Sequence, residues 1–319
     1  MITRWIPVLA MVAAACAFAQ DFPTRTVKIV VPWPPSGNVD ITARTVAPAF
    51  SEALGAQVLV ENHSGAGGRI GTAAVAKASA DGYTLLLGSS GTITSGPAVF
   101  KSISYDPLKD FVAIGPIQSV PIVLTAAPKT PVSNFKEFVA LANAKPGQVS
   151  IASAGSGSSN HLAIELLTRQ ANLKLLHIPY KGSGPAIVDL LGSQVESMMD
   201  QLTASIEHIR SGRLKALAVS SKTRSALLPN VPTLDELGVK GYEASTFTGL
   251  FAPSGIPVPA ADKLYAALRR ALSNETVRER YRSMGVDVMD MSRAEFTAYV
   301  RADFEKWRTI ARDGNIVVE

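Results

Sequence analysis

Short apolar runs alternate with amphipathic stretches along most of the chain. Val27–Val31, Gln57–Val60, Tyr83–Gly88 and Phe111–Ile117 read as buried strands, with helices over Ile41–Leu54 and Ile70–Ala78. The pattern restarts near Pro121. Ile122–Ala126 reads as a strand, and Ser133 should cap a helix through Phe135, Phe138, Val139 and Ala142 that Pro146-Gly147 ends. Strands at Val149–Ser153, Leu173–Ile178, Val195–Met199 and Leu217–Ser220 then enclose helices at Asn160–Gln170, Pro185–Leu191 and Ala204–Arg210. Beyond the proline-rich connector Leu228–Pro232 lie one more strand, Phe247–Ala252, and three helices, Ala260–Leu272, Glu275–Met284 and Arg293–Ala311. Phe296, Val300 and Trp307 share one face of the last helix. Apolar strands separated by amphipathic helices predict an α/β protein with mainly parallel sheets covered on both faces. The closing helices have too few strands to make a domain of their own and should return to complete the first. The expected division is 20–118 with 224–319 in one lobe and 119–223 in the other. Strand carboxyl ends from both lobes then face a cleft.

Residues 1–19 stand outside this pattern. Arg4, the apolar run Trp5–Phe18 and the small-residue site Ala17-Phe18-Ala19 read as an export signal cleaved after Ala19. The lone cysteine, Cys16, lies within it; a lipoprotein reading would acylate that residue, but Ala13 stands where a larger aliphatic side chain is usual. A mature chain without cysteine excludes disulfides, thiolate metal sites and a cysteine nucleophile. No later run reaches the ~18 apolar residues of a spanning helix, so a soluble exported protein is expected.

The net charge of +5, which becomes about +4 once Arg4 is removed, suits anionic small molecules. Basic residues are dispersed and not interleaved with aromatics, which argues against nucleic acid. The four histidines, His63, His161, His177 and His208, lack metal-ligand spacing, so neither a metal nor a cofactor is expected. Gly65–Gly71 is one residue out of step with a dinucleotide fingerprint, and Ser133…Lys136 lacks the downstream motif of a serine acyl-transfer enzyme. A hydrolase would need a base near Ser156, Ser158 or Ser159, and only His161 is close in sequence.

The loops after the strands carry little charge. Pro32-Trp33-Pro34-Pro35-Ser36-Gly37-Asn38-Val39-Asp40 leads from a strand into a helix, Gly88-Ser89-Ser90-Gly91-Thr92 follows another, and Ala154–Asn160 (Ala-Gly-Ser-Gly-Ser-Ser-Asn) enters a third helix. Glycine lets backbone approach a ligand, and successive N–H groups at helix starts form a seat for an anion. The same residues are also ordinary turn formers. Asp40 suits its helix dipole. Asp200, ending a strand, would either face the cleft and welcome an ammonium group or cap the turn at Thr203–Ser205. Lys181 would either balance an anion at the rim or be a solvated turn residue.

Across Pro32–Arg44, Val60–Gly71, Ala80–Leu86, Tyr105–Phe111, Ser153–Leu162, Pro179–Gly182, Val231–Thr233 and Gly249–Pro253, the chain resembles the Bug-type solute receptors of tripartite tricarboxylate transporters. The resemblance implies a two-lobed periplasmic binding protein of the Venus-flytrap kind, monomeric and without catalysis. It would capture a small carboxylate by backbone N–H groups, hydroxyls and ordered waters and present it to a membrane permease. It maps Pro34–Asp40 and Gly155–Asn160 onto the two ligand loops. Ser36 stands where the family usually has glycine, placing a hydroxyl by the carboxylate seat, and Phe247 where tryptophan is common. The expected ligand-contacting set is therefore Trp33, Pro35, Ser36, Gly37, Asn38, Asp40, Ser89, Ser90, Gly155, Ser156, Gly157, Ser158, Ser159, His161, Asp200, Phe247 and Thr248. A ligand sensor serving a signalling partner would share all these features.

Overall fold

The computed structural model describes residues 22–313 and 316–318. Residues 1–21, with the expected export signal and Cys16, lie outside the described residues.

The first half opens with β1 (Val27–Val31), α1 (Asn38–Leu54), β2 (Val58–Asn62), α2 (Arg69–Ala76) and β3 (Thr84–Ser89). β1 pairs in parallel with β2 and β3, and its apolar side chains are buried at four of five positions. Two short helices, α3 (Ser90–Ile93) and α4 (Ser95–Val99), follow β3 in a stretch whose glycines and hydroxyls carry no helical hydrophobic spacing.

Next comes β4 (Phe111–Ala126), a single strand of 16 residues where the apolar pattern predicts two. Its first part pairs with the later strand at 245–253 as far as Pro121↔Ser245, with register shifts at Ala113/Gly115 and Pro116/Gln118. From Ile122 onward it pairs with two strands of the second half. Proline is tolerated at irregular or terminal ladder positions, so Pro116 and Pro121 mark bulges and a change of partner rather than the end of the strand.

The second half comprises α5 (Phe135–Ala144), β5 (Ser150–Ser153), α6 (Ser159–Gln170), β6 (Leu176–Pro179), α7 (Ser183–Leu191), β7 (Ser197–Gln201), α8 (Leu202–Arg210) and β8 (Lys215–Val219). Asn134, not Ser133, caps α5 by accepting from the Glu137 N–H, while the Ser133 N–H donates to the Glu137 carboxylate. β7, β5 and β6 run parallel; β4 lies antiparallel between β8 and β7.

The chain returns through β9 (Ser245–Pro253), α9 (Val258–Ser273), α10 (Glu275–Ser283), β10 (Asp287–Val288) and α11 (Arg293–Asp313). β9 joins β3 to β4 and completes the first sheet. Leu264, Leu268 and Tyr281 pack with Phe50 and Ile29, and Phe296 with Phe251 and Leu86, so the closing helices belong to the first lobe. Leu234, Val239, Tyr242 and Ala244, by contrast, join Phe138, Ile151 and Leu167 in the core of the second lobe. The connector from 224 to 244 therefore packs on the second lobe, and the chain crosses back only as it enters β9.

The two crossings are tied together by Ser220. Its hydroxyl accepts from the Ile122 N–H at 2.8 Å and donates to the Ala244 carbonyl at 2.8 Å, and its own N–H donates to the Ile122 carbonyl. The lobes also meet at Leu162 of α6, which is fully buried against Val99, Trp307, Ala311, Ile316 and Val318. Burying one leucine contributes about 2 kcal/mol, so this contact helps hold the two lobes together.

Candidate ligand cavity

Four helices of nine or more residues begin at the seam between the lobes: α1 from the first, and α6, α7 and α8 from the second. The opening N–H groups of a helix have no partner within it, and the dipole makes that end positive. These starts surround a cavity of about 30 Å³, room for roughly two water-sized atoms. Trp33, Pro34, Gly37, Asn38, Val39, Ser89 and Thr246 line it from the first lobe, and Ala154, Ser159, Asn160, Ser183 and Gln201 from the second. None of these side chains is charged. An anion seated there meets helix ends, hydroxyls and amides from both lobes at once.

The family-level comparison decides what such a cavity belongs to. Residues 42–316 match the model of the tripartite tricarboxylate transporter family receptors. The chain belongs to this family. Protein BugT of Bordetella pertussis is 38% identical over 301 residues, covering 94% of this chain and 92% of that protein. The solved structure of the periplasmic binding protein BugD superposes with a TM-score of 0.90 at 37% identity, covering 93% of this chain and all of that one. MatC from Rhodopseudomonas palustris, solved with bound malate, is 33% identical with a TM-score of 0.87, over 91% of this chain and 99% of MatC. A further R. palustris protein, solved with adipate, is 31% identical with a TM-score of 0.90, over 93% of this chain and 99% of that one. The fold is thus that of an α/β periplasmic binding protein, and this family member is a binding protein rather than an enzyme. Among the described residues no helix is long and apolar enough to cross a membrane.

In this family member the loop after β1 is braced from below. The buried Asp40 carboxylate accepts from the Ser36 N–H at 3.0 Å, from Asn62 Nδ2 at 2.8 Å and from Arg44 Nε at 3.0 Å. Asn62 also donates to the Trp33 carbonyl, joining both ends of the loop. Burial alone would raise the Asp40 pKa, but the hydrogen bonds from Arg44, Asn62 and Ser36 and the Arg44 charge outweigh it, and the carboxyl is held below its ordinary range. Trp33 Nε1 points to Ser89 Oγ at 3.4 Å, and Asn38 Oδ1 accepts from Gln118 Nε2 at 2.9 Å.

Asp200 braces the other wall. Its Oδ1 accepts from Asn160 Nδ2 and from Ser183 Oγ, each at 2.7 Å, while its buried Oδ2 has no partner. Burial pushes its pKa up to about 6 against the opposing bonds from Ser183, Asn160 and the Gln201 backbone. Asp200 itself is fully buried and does not line the cavity, but both residues it holds do. Asn160 in turn accepts from Gln201 Nε2 at 3.0 Å.

Of the residues expected from sequence, Trp33, Gly37, Asn38, Ser89 and Ser159 line the cavity. Gly155 and Ser156 line an adjoining outer groove. The rest are placed elsewhere. Pro35 and Ser36 are exposed and do not line the cavity, and Ser36 has a left-handed φ of 69°. Asp40 and Asp200 act one step behind the lining, as described above. Ser90 Oγ accepts from the Phe247 N–H at 2.9 Å, and Ser158 Oγ caps α6 by accepting from the His161 N–H. Gly157 sits under the Phe100 ring, where a Cβ would come within 2.0 Å of ring carbon. Thr248 is buried in β9, paired with Ser89 and Gln118, with its hydroxyl unpartnered. Phe247 faces away from the cleft, edge-on to Phe296 and Tyr299 in the first lobe's core. A strand places alternate side chains on opposite faces, which is why Thr246 rather than Phe247 reaches the cavity.

His161 is spent on the loop. Its Nδ1 accepts from the Gly157 N–H at 3.1 Å, its Nε2 lies 3.5 Å from Glu165, and its ring stacks on His177 at 4.3 Å. Burial and the neighbouring His161 lower the His177 pKa to about 4, against the pull of Glu165. Among the described residues no histidine ring nitrogen is hydrogen-bonded to the Ser156, Ser158 or Ser159 hydroxyl; the serine hydroxyl that pairs with a histidine is that of Ser153, 2.7 Å from His177 Nε2. Ser183, Gln201 and Thr246 escaped the sequence reading because each sits at an element end whose direction only the packed sheet defines. Asn160 lies within the facing loop singled out from sequence and lines the cavity with Ala154 and Ser159 of that loop, its amide bonded to Asp200 and Gln201.

Proposed function

We propose that this receptor is exported to the periplasm, shuts its lobes around the carboxylate of a small organic acid and presents the closed form to the membrane component of a tripartite tricarboxylate-type transporter. The observation that carries the reading is the meeting of four helix starts, from both lobes, on a cavity lined by no charged side chain. An anion there is held by main-chain dipoles that need no reorganisation. Because those dipoles come from opposite sides of the two crossings, the ligand binds the shut state better than the open one, which is what closure requires. Malate and adipate in the solved relatives are both carboxylates and support the same ligand class. The test is isothermal titration of the leaderless protein with di- and tricarboxylates, aromatic acids and acidic amino acids. At least one should bind saturably and be recovered unchanged. Natively folded protein that takes up heat from none of them would refute the reading.

A further inference from the structure

In the second lobe, every polar hydrogen carried by the cavity-lining side chains is already committed. Asn160 Nδ2 spends its two on the Met199 carbonyl at 2.9 Å and on Asp200 Oδ1 at 2.7 Å. Gln201 Nε2 spends its two on Asn160 Oδ1 at 3.0 Å and Ser159 Oγ at 3.3 Å, and the Ser159 hydroxyl turns to Asn160 Oδ1 at 3.4 Å. Ser183 has one, donated to Asp200 Oδ1 at 2.7 Å. An ionised carboxylate only accepts, so while Asp200 is charged the Ser183 hydroxyl offers the cavity lone pairs alone. An anion there meets those lone pairs, with a buried negative charge directly behind them. One proton removes both obstacles. We propose that Asp200 is a proton-binding site coupled to the cavity: with each anion the receptor takes up a proton from solution, Asp200 donates it to Ser183 Oγ, and the freed hydroxyl hydrogen turns to the anion. The inference rests on the carboxylate-receptor reading above.

The hydroxyl can itself relay the proton, accepting one from the cavity side as it passes its own to Asp200. The proton returns to solution when the anion leaves. The surroundings single out Asp200 as the group that responds. Its pKa is raised by burial against the bonds from Ser183, Asn160 and the Gln201 backbone, and no charged neighbour is among the causes. β4, paired with β7 at Val123↔Asp200, and β5 carry no titratable side chain. On α6, His161 and Glu165 face each other, and on β6 His177 bonds the Ser153 hydroxyl. On α7, Asp189 accepts from the Tyr180 hydroxyl; α8 carries His208 and the pair Glu207–Arg210 in its second half. Across the seam, Asp40 is matched by Arg44. An anion in the cavity is therefore the nearest charge Asp200 meets, and it favours the protonated form.

Isothermal titration of the full mature chain with malate and with adipate, in two buffers of different ionisation enthalpy at pH 6, 7 and 8, counts the proton directly. Wild-type protein should take up about half a proton or more per bound anion at pH 7, and bind about tenfold more weakly at pH 8 than at pH 6. Asp200→Asn supplies an amide that donates to Ser183 Oγ at every pH. It should lose that uptake, keep one affinity across the range and bind about tenfold more tightly than wild type at pH 8. Ser183→Ala deletes the hydroxyl that reads the proton and should at least halve both the uptake and the pH dependence, reporting even where Asp200→Asn disturbs the fold. Binding by wild type without proton uptake, or uptake unchanged in Asp200→Asn or in Ser183→Ala, overturns the coupling while leaving the carboxylate seat intact. No binding of these or the other acids named above overturns both.

Discussion

The loop after β1 and the end of β7 each bury a carboxylate behind the cavity wall, and the two are wired differently. Asp40 receives the Ser36 N–H, the Asn62 amide and Arg44, and the last side chain carries the charge outward to solvent. Asp200 receives the Asn160 amide and the Ser183 hydroxyl on Oδ1, while among the described residues Oδ2 has no side-chain partner and no cation pairs with the carboxylate. Their pKa values move in opposite directions for that reason. A satisfied carboxylate stiffens the loop it sits under. A half-satisfied one is tolerated because it fixes the orientation of Asn160 and Ser183, two groups the cavity uses. Buried charge without a counter-charge is weak support for a fold, so the second lobe gives up stability where the first lobe gains it.

The largest effect should separate the two sites directly. Asp40→Ala strands three donors and should lower unfolding free energy by about 3 kcal/mol, whereas Asp200→Ala removes a strained charge and should change it by about 1 kcal/mol or less. Urea unfolding at pH 7 measures both; a larger loss for Asp200 would reverse the comparison. Acidity should sharpen it. Asp200, with its folded pKa raised to about 6, holds a proton that the unfolded chain has released, so its contribution to stability is present at low pH and declines as pH rises from about 4 to 6. The slope there should approach about 1 kcal/mol per pH unit and disappear in Asp200→Asn. Asp40 has the opposite sign: its contribution is present at neutral pH and is lost as pH falls below about 4. The smallest effect concerns the seam. A Cβ on Gly91 would stand 3.3 Å from the Ser159 N–H nitrogen and from Trp33. Gly91→Ala should therefore weaken ligand binding a few-fold in titration while leaving thermal unfolding unchanged or slightly higher, since alanine suits a helix better than glycine.

Most elements were legible because apolar spacing follows local geometry. β1 matches the sequence reading residue for residue, and α9 and α10 agree within two residues at each end. The failures have particular causes. The apolar pattern restarts near Pro121, yet in β4 that residue falls inside one strand, where it changes sheets and no ladder bond is needed from its nitrogen. Leu234 and Tyr242 carry no mark of which core they enter; that choice is made by the second crossing, which comes only at Ser245. Ser36 looked like a ligand group from its place in the loop, but the residue is exposed and outside the cavity lining, its left-handed backbone held by the bond from its N–H to Asp40. Asp200 was read as either facing the cleft or capping a turn, and it does neither: it grips two residues from distant segments.

By itself the amino-acid order determined the alternation of strands and helices, the uncharged turns at strand ends and the family to which they belong. These follow from interactions a few residues long, which any stretch of chain expresses wherever it lies. The tertiary structure alone decided which turns meet, which hydroxyls are already engaged and which side chains reach the cavity. Such contacts join residues from opposite lobes, and their geometry exists only once both sheets are built on the shared strand.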